Sequence, residues 1–293
     1  MTNLFENTSA YWAKYSAYEW RKADNGREYL LPTADATVSV YNTIPLTDQL
    51  VLDAVNVGML VFRKSPEQKI REAIHSFICN YGLLGMMTAL PTTSKFVEYE
   101  KVYLLKNQFI REESMDTLDY MKLFFPFRMP DFRKKGVESV WDVSGDDRAE
   151  AAMFMTFHNE PQAMAMSFMR GYGEPFEWLK EVFRDWAFTF LCADMYQRER
   201  NRLDQDSLNL YRRGLACFEG NAPTYHLELH GHPVIVWDFH SLMLAVRFLF
   251  SLKMTDVKNS LRMCGKCYKA FYAHRTDAQY CSTECRNKAS KKP

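Results

Sequence analysis

The residues in this chain best suited to chemistry stand near its end. Cys264-Gly265-Lys266-Cys267 is followed, thirteen residues later, by Cys281-Ser282-Thr283-Glu284-Cys285. Two short-spaced cysteine pairs joined by a loop of this length form a zinc pattern, because Zn²⁺ takes four thiolates tetrahedrally. The two-residue spacer lets one tight turn aim both sulfurs at a point, and Gly265 is expected to relax that turn. Ser282 reads as a helix cap, which places Cys285 in a first helical turn, where free N–H groups stabilise a thiolate. A knuckle, a hairpin and a helix bearing two ligands at its start make a treble-clef-like layout. Four protein ligands leave no open position for a substrate, so one structural Zn²⁺ is expected and no catalytic metal. His274, mid-loop, is the minor alternative ligand. Phe271 and Tyr272 are expected to supply a small apolar core of the module's own, with metal binding providing much of the folding energy.

The charge is distributed to match. The formal net charge is +1, yet nine Lys and Arg between Lys258 and Pro293 face only Asp277 and Glu284. The tail is therefore +7 and the preceding 257 residues −6; four thiolates around one Zn²⁺ would lower the tail by two. A basic appendage on an acidic body points to a polyanionic partner, most often nucleic acid. The expected contacts are Lys266, Lys269, Arg275, Arg286, Lys288, Lys291 and Lys292, with phosphates rather than base edges as targets. The alternative is a solvated tail that keeps the protein soluble.

Arg262-x-Cys264-x-x-Cys267-x-x-x-Phe271, followed by Tyr280-Cys281-Ser282-x-x-Cys285-Arg286-Asn287-Lys288, resembles the CGNR-type zinc finger. The familiar form reads Cys-Gly-Asn-Arg at its last ligand, whereas here the run is Cys285-Arg286-Asn287-Lys288. The resemblance includes the apolar helix ahead of the finger and covers about the last 60 residues. It implies a bacterial transcriptional regulator that binds DNA through this finger.

What must position the finger is a body of 1–257, with the finger and its basic tail at 258–293. The 293 residues are 47% hydrophobic and 25% charged, with only 12 Gly and 11 Pro, which excludes a disordered or collagen-like chain. The expected class is mainly α (α+β), a helical body with a β-hairpin. Ser65-Pro66-Glu67-Gln68 reads as a helix start, with Ser65 as cap and Ile70, Ala73, Ile74, Phe77, Ile78 and Tyr81 as the inner stripe. Val97 to Leu105 reads as a strand and Met115 to Phe125 as a helix. Phe176, Leu179, Phe183, Trp186, Phe190 and Ala193 share one face of a helix running from Glu174 to Glu199. A further helix covers Asp206 to Phe218. Tyr225, Leu227 and Leu229 alternate with His226, Glu228 and His230, a hairpin strand paired with Val234 to Trp237. Asp238 is read as the cap of the next helix, whose Phe239, Leu242, Met243, Val246, Leu249 and Phe250 form the inner stripe. Regions 20–47 and 126–148 read as loops.

The weaker signals all have plainer readings. His226, Glu228, His230 and His232 have metal-ligand chemistry, but a half-exposed hairpin gives the same alternation, with these polar residues in water and Tyr225, Leu227 and Leu229 on the opposite face. Asp238 and His240 could form an acid–base pair, although capping accounts for Asp238. Tyr11, Trp12, Tyr15, Tyr18 and Trp20 could stack on bases, but read more simply as a helix packed on the body. Met153, Met155, Met164, Met166 and Met169 form either an adaptable surface or core filling.

No phosphate loop, serine-nucleophile motif or His-Glu-x-x-His is present, and the finger lacks the His and Asn of a treble-clef nuclease. The chain is therefore read as a non-enzyme. The N-terminus shows neither a basic start nor an apolar run, and Asp238, His240 and Arg247 interrupt Val234 to Leu252, the stretch read as most hydrophobic. A cytoplasmic protein with reduced thiols and no membrane association is expected. Two other classes remain: an interaction protein, with a homo-oligomer or a protein partner, whose finger is a plug docked on its own body or on that partner, and an effector enzyme with its site in the body.

Overall fold

The computed structural model describes residues 8–9, 11–85, 100–104, 114–129, 169–218, 224–239, 241–256, 259–275 and 277–290. The class is α+β as expected, with helices carrying the core and the strands confined to small sheets. At the centre lies helix α4 (Phe176–Glu199), whose six predicted inward residues are all buried. It also buries Asp185, Thr189 and Asp194, as a helix surrounded by neighbours does. Helix α1 (Thr47–Phe62) lies along it so closely that a Cβ on Gly58 would stand 2.0 Å from the Phe183 carbonyl oxygen. Gly58 is thus the contact point that sets the spacing of the two helices. With its 3₁₀ lead-in, Ile44–Phe62 is long and apolar enough to cross a membrane. Here Leu50, Val51, Ala54 and Val55 of that segment are buried in the core.

Helix α2 (Glu67–Tyr81) buries the predicted stripe except Ala73, which is half-buried, and its cap differs from expectation. Pro66 occupies the cap position, Ser65 makes no cap bond, and the first helical N–H groups of Lys69 and Ile70 reach the Pro66 carbonyl. Helix α3 (Thr117–Phe124) starts at Asp116, whose carboxylate accepts from the N–H groups of Leu118 and Asp119. Met115 belongs instead to strand β7 (Ser114–Asp116), which pairs with β6 (Lys101–Tyr103). Of the predicted strand at 97–105, only 101–103 is seen as strand among the described residues.

The N-terminal aromatics form strands, not a helix. β2 (Tyr11–Tyr15) pairs antiparallel with β5 (Val38–Asn42), and β3 (Tyr18–Lys22) with β4 (Glu28–Pro32), which also pairs with β8 (Glu174–Pro175). Region 20–47 therefore contains three strands where loop was expected. Steps of three and four among aromatic residues imitated a helix, while the aromatic content itself favoured strands. Trp12, Tyr15 and Tyr18 are buried, so most of that set is withdrawn from any base-stacking role.

A buried carboxylate ties these parts together. Glu174 accepts from the N–H groups of Leu84 (3.0 Å) and Gly85 (2.7 Å) and from the Tyr172 hydroxyl (3.0 Å). Burial raises its pKa to about 8 despite those three donors. The turn it holds needs positive φ at Gly82 and Gly85, and a Cβ on Gly85 would meet the Trp12 ring at 2.7 Å. The Leu84 carbonyl then accepts from Met243 N–H, fixing the start of α6 (Leu242–Thr255). That helix is capped by the Ser241 hydroxyl, bonded to Leu244 N–H at 3.1 Å; Asp238 ends the preceding strand instead. The predicted inner stripe of α6 is buried. Arg247, taken from the sequence as an interruption, pairs in the core with Asp185 of α4 at 3.2 Å and stacks on Phe218.

Helix α5 (Gln205–Ala216) is capped by Asp204, and the expected hairpin follows as β9 (Thr224–Leu229) and β10 (Pro233–Asp238). β1 (Thr8–Ser9) joins β10 in parallel, leaving β9 at the edge of this sheet among the described residues. Met153, Met155, Met164, Met166, His240 and most of region 126–148 lie outside the described residues.

Candidate metal centre

The finger consists of β11 (Ser260–Met263), β12 (Ala270–Ala273) and helix α7 (Thr283–Ser290). β11 and β12 pair antiparallel, Ser260 with Ala273 through Met263 with Ala270, and the knuckle of Cys264 and Cys267 is the turn between them. Its backbone is closed by Cys264 N–H to the Lys269 carbonyl and Tyr268 N–H to the Cys264 carbonyl, both 2.9 Å. The left-handed residue is Tyr268, at φ 60°, and not Gly265. A Cβ on Gly265 would make only ordinary contacts with Gln279 and Tyr280, so the turn does not require glycine there.

Gly265 N–H reaches the Gln279 carbonyl at 2.9 Å, which draws the second cysteine pair over the first. Cys281 N–H points at Cys264 Sγ (3.4 Å), and the Ser282 hydroxyl accepts from Cys285 N–H (3.2 Å), the predicted cap. All four sulfurs of Cys264, Cys267, Cys281 and Cys285 lie within 4.8 Å of one another. Cys281 Sγ is 3.6 Å from both Cys267 Sγ and Cys285 Sγ. A tetrahedral zinc with Zn–S near 2.3 Å needs sulfurs about 3.8 Å apart, so these residues fit one metal ion. No other grouping of metal ligands occurs among the described residues.

The site's electrostatics ask for a cation. Burial would push the Cys264 thiol up, but N–H groups of the Cys267, Cys281 and Lys266 backbone outweigh it and bring the pKa down to about 6. Cys281 goes the other way, to about 12, through burial and the neighbouring thiols. Four thiolates this close cannot all ionise without a metal to share them. His274 is exposed and bonds Asn259 (3.3 Å) rather than joining the cluster.

Among its described residues the finger has no apolar core separate from that of the body. Phe271 and Tyr272 are only half-buried, while Leu261 and Ala270 pack into the core of the body. Polar anchors absent from any motif hold the ribbon there. Asn56 of α1 accepts from Ala270 N–H (2.8 Å) and donates to the Ala270 carbonyl (3.3 Å), acting as an extra strand residue. Asp194 of α4 accepts from Met263 N–H (3.3 Å) while holding Arg198 at 2.8 Å, and Arg198 donates to the Met263 carbonyl. The Tyr272 hydroxyl reaches the Asp48 carbonyl (3.1 Å), and the Asp48 carboxylate pairs with Lys253. The only sequence signal for Asn56 is a polar residue inside an apolar helix.

Of the predicted nucleic-acid contacts, Lys266, Lys269, Arg275, Arg286 and Lys288 are exposed, and Lys291 and Lys292 lie outside the described residues. Arg275 is held by Asp277 (2.8 and 3.0 Å) and Lys288 by Glu284 (2.6 Å), both partners belonging to the finger. Arg275 and Arg286 border an open cleft of about 410 Å³ with Gln279, Tyr280, Ser282 and Thr283.

On β9, His226 and His230 bond different oxygens of Glu228, each at 2.9 Å, so two imidazoles flank one carboxylate and the three side chains do not converge on a point. The hairpin also departs from the expected inside and outside. Tyr225, Leu227 and Leu229, read as its inward face, are 63%, 68% and 80% exposed. Comparison of the chain with protein-family models, curated proteins and solved structures gives no match.

Proposed function

We propose that this protein binds nucleic acid, with DNA as the first candidate, through a zinc-clamped C-terminal finger held rigidly on a helical body and acting in transcriptional regulation. One observation carries this reading over that of a self-docked plug. A plug's cations would pair with the acidic body, yet among the described residues no salt bridge joins Lys266, Lys269, Arg275, Arg286 or Lys288 to a body carboxylate. Docking is accomplished by Asn56, Asp194, Arg198 and Leu261, which leaves those five cations exposed, with Arg275 and Lys288 paired only to Asp277 and Glu284 of the finger itself. The resemblance to CGNR-type fingers supports the same reading. The contacts available are to phosphate, which position a protein without reading sequence.

The test is a salt-titrated binding assay with the zinc-loaded chain against duplex DNA, single-stranded DNA and RNA. If about four phosphates of duplex DNA are neutralised, log K against log salt has a slope near −3.6. Replacing Lys266, Lys269 and Arg286 together by Ala should flatten that slope by about 2.7 if each neutralises one phosphate. Absence of binding to all three at low salt would overturn the reading in favour of the plug.

A further inference from the structure

We propose that two copies of this chain pair edge to edge through β9, antiparallel, with Leu227 on the two-fold axis. β9 has one neighbour, β10, and its other edge pairs with no strand among the described residues. It carries Tyr225, Leu227 and Leu229 on one face, continued on β10 by Ile235, which is 44% exposed, and by Trp237 against the Tyr225 ring. A long exposed apolar edge invites a further strand. Proteins commonly protect such an edge with lysine, proline or a bulge, whereas Tyr225-His226-Leu227-Glu228-Leu229 holds none of the first two and pairs regularly with β10.

The sequence of the edge itself selects the second strand. In an antiparallel pair, residues directly opposite each other point to the same face. With Leu227 opposite Leu227 of the second copy, Tyr225 falls opposite Leu229 and His226 opposite Glu228, twice over by symmetry. Moving the axis to Glu228 sets carboxylate against carboxylate and His226 against His230. Moving it to His226 sets imidazole against imidazole. A one-residue slip puts the apolar face of one copy beside the polar face of the other. Of these registers, the Leu227-centred one alone pairs opposite chemistries on the polar face and like chemistries on the apolar face. His226 and His230 already hold the Glu228 carboxylate from either side at 2.9 Å, so the polar row is ordered before the second copy arrives. The contact is isologous and closes on itself, giving a dimer and not a filament.

Sedimentation of the full zinc-loaded chain across micromolar concentrations tests this. The wild type is expected to be a dimer, and Leu227→Lys, which places two ammonium groups at the axis, a monomer. His226→Glu alone faces carboxylate with carboxylate at both symmetric positions and should raise Kd roughly tenfold or more. His226→Glu combined with Glu228→His exchanges the two partners and should restore the wild-type Kd. Because these side chains are exposed, an unchanged melting temperature of the dilute monomer confirms that each variant folds. A monomeric wild type, a dimer indifferent to Leu227→Lys, or a double variant no tighter than His226→Glu overturns the proposal. A wild-type monomer that instead captures an unrelated extended peptide along β9 also overturns it.

Discussion

The two β-ribbons of the C-terminal half, β9–β10 and β11–β12, show how similar local patterns reach opposite ends. Both are antiparallel pairs with alternating side chains. In β11–β12 the body supplies what an isolated ribbon lacks: a core to receive Leu261 and Ala270, and Asn56, Asp194 and Arg198 to satisfy the backbone at the sites of contact. The β9–β10 ribbon presents Tyr225, Leu227 and Leu229 to water instead. A two-stranded ribbon is at best marginally stable alone, so each is completed by something outside itself. For β11–β12 the complement is the helical body and a metal; for β9–β10 it is a short strand, β1, and, in the proposal above, a second chain.

Metal removal separates the two most strongly. Structural zinc in finger peptides is bound with about 10–16 kcal/mol, and the finger holds almost no apolar core in reserve. Chelation, or Cys264→Ser, is expected to abolish zinc binding and to open the finger, so that limited proteolysis cleaves beyond residue 259 while β9–β10 keeps its protection. Equal zinc content in the wild type and Cys264→Ser would contradict the ligand assignment. Loss of protection across α1 and α4 as well would mean that the finger is part of the body's own folding unit.

The next effect compares one leucine from each ribbon. Leu261 is 5% exposed and Leu229 is 80% exposed. Leu261→Ala should cost about 2–5 kcal/mol, the usual range for a buried leucine, whereas Leu229→Ala should change the stability of the monomer by less than about 0.5 kcal/mol. Urea denaturation at concentrations below dimerisation measures both. Similar costs at the two sites would show that β9–β10 is covered in solution.

The difference between the ribbons also marks what the sequence could disclose. The four metal ligands were legible, because tetrahedral coordination and chain geometry restrict cysteine spacing to a few patterns. The stripes of α2, α4 and α6 were legible because one buried side at 3.6-residue spacing leaves a periodic record. The aromatic run from Tyr11 to Trp20 misled because its steps fit a helix by coincidence, and only pairing with Val38–Asn42 and Glu28–Pro32 reveals strands. The outward apolar face of β9 was misread for a related reason: alternation states that two faces differ, but not which of them meets a core. The docking role of Asn56, Asp194 and Arg198 was not legible, since each reaches the ribbon through a backbone group, up to 214 positions away, and a backbone group leaves no mark in sequence.

The smallest expected effect bears on those anchors and decides whether the finger is docked or merely adjacent. Asn56 uses both ends of its amide on one residue, accepting from Ala270 N–H and donating to its carbonyl. Asn56→Ala leaves that partly buried peptide group without its partners, at a cost of about 1–3 kcal/mol. The zinc site lies beyond the ribbon's knuckle and makes no use of Asn56, so zinc stoichiometry should remain that of the wild type. Hydrogen exchange at Ala270 should then accelerate while the amide of Cys281, bonded to Cys264 Sγ, stays protected. Exchange at Ala270 unchanged in Asn56→Ala would mean that the metal alone orders the ribbon, and the contrast with β9–β10 would reduce to the presence of a cation.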